Sequence, residues 1–222
     1  MAGDRLRICA AIVRDDPEAI AAVAPLVDLY EVRIDLIGDG WREVAGRLTK
    51  PWIACNRMAA EGGAWQGSEA ERIGELYRAV ELGAGTVDIE LATHGLAGIV
   101  RELKGRAECL LSYHNVEETP PAEELRNIVG EQVAAGADIC KVVTTARSAA
   151  DSLAVLELIV GFPRQRVVSF AMGPQGRISR IMCPLIGGCF TYASIGKGRE
   201  SAAGQITVAD LRTIYGLLGY EW

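Results

Sequence analysis

The chain has 222 residues, half of them hydrophobic, and carries a formal net charge of −6. An acidic balance without any Lys/Arg-rich run argues against nucleic acid and anionic membrane surfaces as partners. No apolar run approaches the roughly 20 residues of a membrane span, and the first five residues lack the apolar core of a secretory signal, so we expect a cytoplasmic protein with no membrane association.

Strand-like and helix-like segments alternate to the end of the chain. The predicted strands are residues 6–13, 30–36, 51–56, 87–91, 109–114, 137–143, 166–170 and 189–193. The predicted helices are residues 18–29, 41–48, 68–82, 96–103, 122–135, 148–160, 179–185 and 207–218. Polar residues placed to cap a first turn mark several helix starts: Asp16 before Pro17, Ser68 with Glu71, Ser148 with Asp151, and Thr207 with Asp210.

This alternation predicts a (β/α)8 TIM barrel formed by a single domain over residues 1–222. Each strand and helix pair takes about 25–30 residues, which suits a closed barrel of the usual size. The alternative is an open doubly wound sheet, which normally has a glycine-rich phosphate loop after its first strand. Residues 12–15, Ile-Val-Arg-Asp, are not such a loop.

Lys141 lies in the most informative of these strands, the apolar stretch 136–143. An ammonium group is costly to bury without a partner. A desolvated lysine loses its proton more easily, and a neutral amine attacks carbonyls. The sequence therefore favours a Schiff-base lysine, while the plainer interpretation is a lysine that reaches solvent at a strand end or pairs with a carboxylate.

Polar residues recur where the other predicted strands end, which in a barrel is where active sites form. Glu31, Arg33 and Asp35 alternate along the second strand and should share one face. Each remaining residue has an ordinary explanation by itself, such as a core histidine or a surface arginine. The others are Arg57, Glu61, Asp88, Glu90, His114 and Arg180, followed by the glycine-rich loop 196–205.

Together these residues place an amine, an imidazole, carboxylates and guanidinium groups around one barrel mouth. Three arginines near one lysine are expected to favour its neutral form and to attract an anionic substrate. The predicted chemistry is acid–base work on a carboxylate-bearing ketone held as an imine.

The six cysteines include no C-x-x-C pair, and four lie in apolar strand-like runs. Buried free thiols in a reducing cytosol explain this distribution better than disulfides or a structural zinc site. We therefore expect no metal.

Seven short motifs resemble those of the type I 3-dehydroquinate dehydratases. They are E-V-R-I-D at 31–35, R-M-A-A-E-G-G at 57–63, V-D-I-E-L at 87–91, S-Y-H at 112–114, D-I-C-K at 138–141, G-R-I-S-R at 176–180 and S-A-A-G-Q at 201–205. Each motif is weak alone, but all seven occur in order across nearly the whole chain. One departure is Ala203, where the family often has proline, and we expect a looser loop from it.

The resemblance implies a β/α barrel that uses no cofactor and acts on 3-dehydroquinate. It also implies a homodimer. Lys141 would form the imine, His114 would act as general acid and base, and Glu61 would orient His114. The implied substrate-binding residues are Glu31, Arg33, Arg57, Arg180, Ser201 and Gln205, with Arg180 at the substrate carboxylate. Asp88 and Glu90 would support this set from behind.

Two other functions remain open at this point. An aldolase or transaldolase would also place a Schiff-base lysine on the sixth strand, although His114 with Glu61 and the arginines favours dehydration of a cyclic acid. A non-catalytic binding barrel would be expected to lack Lys141, His114 or Arg180, and all three are present.

Overall fold

Nine parallel β-strands form one continuous sheet in the computed structural model, which describes residues 6–220. Residues 1–5 and 221–222 lie outside the described residues. The expectation about a signal peptide and the two ends of the predicted domain fall on these residues. The strands are β1 Ile8–Ile12, β2 Leu29–Arg33, β3 Trp52–Cys55, β4 Thr86–Glu90, β5 Glu108–His114, β6 Ile139–Thr145, β7 Val167–Met172, β8 Thr191–Ser194 and β9 Ile206–Thr207.

Helices connect successive strands, as the sequence predicts. The α-helices are α1 Pro17–Val23, α2 Ile34–Ile37, α3 Trp41–Gly46, α4 Glu69–Glu81, α5 Leu96–Leu103, α6 Ala122–Ala134, α7 Ala149–Gly161, α8 Arg177–Leu185 and α9 Val208–Leu217. Short 3₁₀ turns cover Ala24–Leu26, Gly38–Gly40, Ala59–Glu61 and Pro174–Gly176. Over residues 6–220, the helices are all too short or too polar to cross a membrane.

The sheet curls into a barrel, which confirms the predicted fold class. Its strand order is β7-β6-β5-β4-β3-β2-β1-β8-β9, so every pair of sequential strands from β1 to β7 is adjacent. Among the described residues, β7 and β8 share no ladder, and this pair forms the seam of the barrel. At the amino end of the seam the Cys189 amide donates to the Val167 carbonyl at 3.0 Å.

Two predicted boundaries were wrong, each for a local reason. The first helix ends at Val23 because Pro25 has no amide to donate and the chain tightens into a 3₁₀ turn. The second strand ends at Arg33, and a single helical turn of Ile34–Ile37 follows. Asp35 therefore does not continue the strand face that Glu31 and Arg33 share.

The predicted caps of α1, α4 and α9 are present. Asp16 accepts from the Ala19 amide at 3.0 Å, Ser68 and Glu71 form a reciprocal capping box, and Thr207 accepts from the Asp210 amide at 3.1 Å. These bonds satisfy amide groups that a first turn leaves without helical partners. They fix where each helix begins against the sheet.

Strand alternation separates the core from the cavity. Ile8, Ile12, Val32, Ile89 and Leu111 are buried in the cluster that packs beneath the helices. The intervening residues point into the barrel, where successive layers fill it and the uppermost side chains meet. This alternation brings side chains from β2, β5, β6, β7 and β8 around one cavity, together with Arg57, which follows β3.

Candidate active site

The cavity opens at the carboxyl ends of the strands and encloses about 300 Å³. All the sequence-predicted catalytic and substrate-binding residues line it. The lining is Glu31, Arg33, Arg57, Glu61, Gly62, His114, Val116, Lys141, Val143, Thr145, Phe170, Met172, Gly173, Arg180, Tyr192, Ser201, Ala202, Ala203 and Gln205. Asp88 and Glu90, predicted to act from behind, contact this lining without being part of it.

Lys141 is the third residue of β6, so it lies deeper than the strand end predicted for it. Its side chain is buried, with 4% of the residue exposed. Its Nζ donates to Asp88 Oδ2 at 2.8 Å and to Glu31 Oε1 at 3.3 Å. The plainer interpretation, a lysine paired with a carboxylate, is therefore present in the structure. The Schiff-base hypothesis concerns the same nitrogen and stays a prediction.

The expectation of an uncharged lysine was wrong. Burial by itself lowers the pKa of Lys141, but the carboxylates of Asp88 and Glu31 raise it by more, and the net pKa lies above its ordinary value. Arg57 opposes the two carboxylates by a smaller amount than either contributes. The resting side chain is an ammonium ion held between two carboxylates.

Arg57 connects the ion pair of Lys141 and Asp88 to other buried polar residues around the cavity. Its guanidinium contacts Asp88 Oδ2 at 2.7 Å and Glu90 Oε1 at 3.1 Å, and donates to Ser112 Oγ at 2.6 Å. Burial alone would raise the pKa of Asp88, yet Arg57 and Lys141 hold it far below its usual range. Asp88 is therefore ionised and fixed from three sides.

Glu90 carries the same network out of the cavity to helix α4. It accepts from the Met58 amide at 2.9 Å and from Arg72 Nη1 at 2.6 Å. Arg72 is fully buried and also donates to the Asn56 carbonyl at 2.9 Å and to Thr93 Oγ1 at 2.9 Å. The bonds to Met58 and Asn56 fix the backbone that leads to Glu61, and Glu90 also holds Arg57.

His114 ends β5 and contacts Glu61 twice. The Glu61 Oε2 atom accepts from the His114 amide at 2.9 Å and lies 2.8 Å from ring atom Nδ1. An oxygen that already accepts from an amide is best matched by a second donor, which assigns the ring proton to Nδ1. That tautomer leaves Nε2 with a free lone pair.

Burial dominates the titration of this pair. It lowers the pKa of His114 well below its ordinary value, with Arg57 and Lys141 adding to the effect, so the imidazole is neutral. Burial raises the pKa of Glu61 to about 8, although Arg57 opposes the shift. A neutral imidazole beside a carboxyl group that titrates near neutrality is suited to moving protons.

Arg33 and Asp35 form a bidentate pair at the end of β2. Arg33 Nε donates to Asp35 Oδ1 at 2.9 Å and Nη2 to Oδ2 at 2.7 Å, while Oδ2 also accepts from the Ala64 amide at 3.0 Å. Two parallel bonds fix the plane of the guanidinium. Asp35 thereby orients Arg33 and anchors the loop that carries Glu61.

Arg180 differs from the other two arginines because it forms no salt bridge with a carboxylate of residues 6–220. Its Nε and Nη2 atoms are buried and have no hydrogen-bond partner among these residues, and its guanidinium stacks 4.4 Å from the Phe170 ring centre. Burial lowers its pKa to about 10. A buried cation with idle donors is the binding partner that an anionic ligand requires.

The loop predicted to close the cavity lies over it. Gln205 Oε1 accepts from the Ser201 amide at 2.7 Å and from Ser201 Oγ at 3.2 Å. The Ala203 carbonyl accepts from the Gly173 amide at 3.0 Å. Gly204 has φ +77°, and a Cβ there would lie 2.4 Å from the Gly173 carbonyl oxygen, so this contact requires glycine.

One group of side chains has metal-ligand character, but its charges do not fit a cation. Ligand atoms of Glu31, Cys55 and Asp88 lie within 4.8 Å of one another. The Lys141 ammonium and the Arg57 guanidinium already occupy the space facing these oxygens. All six cysteines lie among the described residues and are free thiols.

Sequence reasoning missed two residues of this site. Tyr192 lines the cavity beside Lys141, but within the apolar run C-F-T-Y-A it has the pattern of a core residue. Arg72 supports Glu90 but lies in a helix rich in charged residues. One signal could have indicated that Arg72 is buried. It lies next to Ile73, on the face of the helix that packs against the sheet.

Comparison with known proteins assigns the family. A sequence profile described as "Type I 3-dehydroquinase" matches residues 8–221. The chain belongs to the type I 3-dehydroquinase family. Within it, a 3-dehydroquinate dehydratase of Dehalococcoides mccartyi strain 195 is 46% identical over 192 residues, which cover 86% of each chain.

More distant family members cover almost the full chain. A 3-dehydroquinate dehydratase of Methanocaldococcus jannaschii is 34% identical over 95% of this chain and 98% of its own. The crystal structure of 3-dehydroquinate dehydratase from Geobacillus kaustophilus HTA426 superposes with a TM-score of 0.86 at 28% identity, covering 99% of this chain and 93% of that one.

Proposed function

We propose that this chain is a 3-dehydroquinate dehydratase that eliminates water from 3-dehydroquinate in the syn sense and releases 3-dehydroshikimate. The proposed reaction passes through an imine on Lys141, with His114 as general acid and base. The observation that carries the proposal is one cavity with a buried lysine, a neutral imidazole and an uncompensated arginine, in a chain 46% identical to a protein of that name.

Arg180 is the proposed partner of the substrate carboxylate. Its Nε and Nη2 donors have no hydrogen bond to any described residue, so a substrate carboxylate would supply the missing acceptor. Arg33 and Arg57 face the same space but are already paired with Asp35, Asp88 and Glu90. We assign them to the substrate hydroxyl groups, and Ser201 and Gln205 to the loop that excludes water.

Imine formation begins with proton loss from the Lys141 ammonium, for which Asp88 and Glu31 are the bases in reach. The neutral amine attacks the ring ketone, and the resulting carbinolamine loses water to give an iminium ion. An iminium nitrogen keeps one N–H where the ammonium had three. Asp88, the nearer carboxylate, retains that bond, and Glu31 is released to accept from a substrate hydroxyl.

The iminium ion withdraws electrons and acidifies the adjacent carbon. His114 takes a proton from that carbon through Nε2, and the electron pair forms the enamine. The same imidazole then gives its proton to the departing hydroxyl as the double bond forms, so one water leaves. Glu61 holds the ring in the required tautomer, and hydrolysis of the imine returns Lys141 with the product.

The experiment that tests this proposal combines turnover with chemical trapping. Dehydroquinate should give the near-ultraviolet absorbance of a conjugated enone, and borohydride should fix the added mass on the peptide that contains Lys141. Lys141→Met should lower turnover at least about 10³-fold and abolish the adduct. Lys104→Met, at an exposed lysine, is the matched control and should change neither.

The outcomes separate the proposal from its alternative. Trapping without any rise in absorbance would indicate an aldolase-type reaction instead of a dehydration. Full turnover by Lys141→Met would overturn the imine while leaving the substrate correct. The proposal also includes a cytoplasmic homodimer without a cofactor, and sedimentation of the purified chain tests the dimer.

A further inference from the structure

Tyr192 on β8 presents its ring to the lysine nitrogen. The Lys141 Nζ lies 4.2 Å from the centre of the ring, and 3% of the tyrosine is exposed. The ring lines the same cavity as Lys141 and Arg180. An aromatic face at this distance attracts a positive charge, and the attraction is strongest where water is excluded.

Two other aromatic rings hold Tyr192 in this orientation. Phe190 meets it at 5.4 Å between ring centres and 67° between planes, and Phe170 at 5.9 Å and 62°. Both are edge-to-face contacts of the favourable kind. The hydroxyl is buried and has no hydrogen-bond partner within residues 6–220, so hydrogen bonding there does not explain the position of the ring.

The chemistry of the nitrogen gives the ring a role that the carboxylates cannot fill alone. The ammonium uses separate N–H groups for Asp88 and Glu31. The iminium ion is still positive but has a single N–H, so one of those two bonds is lost. A cation–π contact needs no N–H and persists through the change.

We propose that the aromatic face of Tyr192 is a catalytic group that stabilises the positive charge of the Lys141 iminium. This inference rests on the imine mechanism proposed above and adds to it a group that touches the reacting nitrogen. The ring acts, and the hydroxyl does not. Two effects follow from removing the ring: a smaller population of iminium, and a lysine that deprotonates at lower pH.

The other charged and titratable groups facing Lys141 are unchanged by the substitution at position 192. They come from five strands: Cys9 on β1, Glu31 on β2, Cys55 on β3 with Arg57 just after it, Asp88 on β4, and His114 at the end of β5. Because these groups stay, a shift in the pH at which Lys141 reacts reports the loss of the ring.

The test measures, at several pH values, the fraction of folded chain that borohydride traps with dehydroquinate. Tyr192→Leu should lower the trapped fraction about tenfold, the size of a cation–π contact in a dry site. It should also move the pH of half-maximal trapping downward. Tyr192→Phe restores the ring and should recover the trapped fraction to within about twofold.

Tyr30→Leu is the matched control because it removes a buried tyrosine ring from β2 that packs in the core beneath the helices and does not line the cavity. It should change the trapped fraction less than about twofold and leave the pH midpoint in place. A Tyr192→Leu variant with wild-type trapping and midpoint would overturn the inference, as would a Tyr192→Phe variant as impaired as Tyr192→Leu. Absence of any adduct in the wild-type chain would instead overturn the imine mechanism, and this inference with it.

Discussion

The two walls of the cavity treat charge in opposite ways. On the wall from β2 to β6, Lys141, Arg33 and Arg57 each face a carboxylate within 3.3 Å. On the wall of β7, α8 and β8, Arg180 stacks on an aromatic ring and has idle donors. The cations of the first wall have their carboxylate partners without a ligand, whereas Arg180 on the second wall does not.

This difference assigns separate tasks to the two walls. A compensated network keeps its geometry before substrate arrives and so pre-organises the groups that do chemistry. An uncompensated cation costs folding free energy that a bound anion returns. Variants on the two walls should accordingly differ in whether they affect turnover, stability or substrate binding.

The largest effect expected on the compensated wall comes from His114→Ala. We expect kcat to fall about 10³-fold because no other neutral base faces the acidified carbon. The Lys141 adduct should still form, since imine formation does not need this imidazole. His94→Ala, at the chain's exposed second histidine, is the control for both the absorbance and the trapping assays. Loss of the adduct in His114→Ala would instead assign His114 to imine formation.

Arg72→Met tests whether the compensated wall depends on its buried support. Removing one partner of a buried pair leaves Glu90 with an unbalanced charge and should cost about 3–5 kcal/mol of unfolding free energy. Arg78→Met breaks an exposed pair with Glu75 on the same helix and should cost less than about 1 kcal/mol. Urea unfolding of both variants measures the difference, and equal losses would contradict the assignment.

Arg180→Met tests the uncompensated wall. It should lower kcat/KM about 10- to 100-fold, mostly through KM, because a hydrogen-bonded charge pair with the substrate is lost. Stability should not fall, since the variant removes a buried cation whose Nε and Nη2 have no hydrogen-bond partner among the described residues. Replacing the substrate carboxylate by a carboxamide should weaken substrate binding to the wild type and leave binding to Arg180→Met almost unchanged. Equal weakening of both chains would place the substrate carboxylate elsewhere.

The smallest effect concerns pH and stability at Glu61. Its folded-state pKa of about 8 exceeds the ordinary value of 4.5, so the folded chain binds a proton that the unfolded chain has lost. Stability from this group falls as pH rises toward 8. His114 also loses a proton in the unfolded chain near pH 6.5, but Glu61→Gln keeps this histidine, so its contribution cancels in the difference between the two chains.

Between pH 6.5 and 8 the wild type should therefore lose up to about 2 kcal/mol that Glu61→Gln does not lose. Thermal unfolding of both chains across this interval provides the measurement. Parallel curves would mean that Glu61 does not titrate there. A wild type that becomes more stable with rising pH would reverse the sign of its shift.

The sequence predicted the barrel and the membership of the site because its pattern is visible in one dimension. Lys141, Glu31 and Asp88 are charged residues inside apolar strands, and such residues stand out against strand periodicity. The charge state of Lys141 depends on which side chains meet it across the barrel. Its predicted arginine neighbours are present, but the carboxylates are nearer and dominate.

Residues whose surroundings agree with a structural role were not predictable in the same way. Tyr192 sits in an apolar run, and Arg72 sits among charged helix residues, so neither departs from its local pattern. The ends of α1 and β2 were also missed, although Pro25 marked one of them. Contacts formed between distant elements, such as Arg72 with Glu90, have no local signature.

A hydrogen bond from the Gly173 amide to the Ala203 carbonyl joins the loop over the cavity to the residue that follows β7, at the seam where β7 and β8 share no ladder within the described residues. Moving this loop to admit a ligand would break that bond each time the cavity opens. Deuterium uptake at the Gly173 amide would then count those openings directly, and saturation with product should slow the exchange.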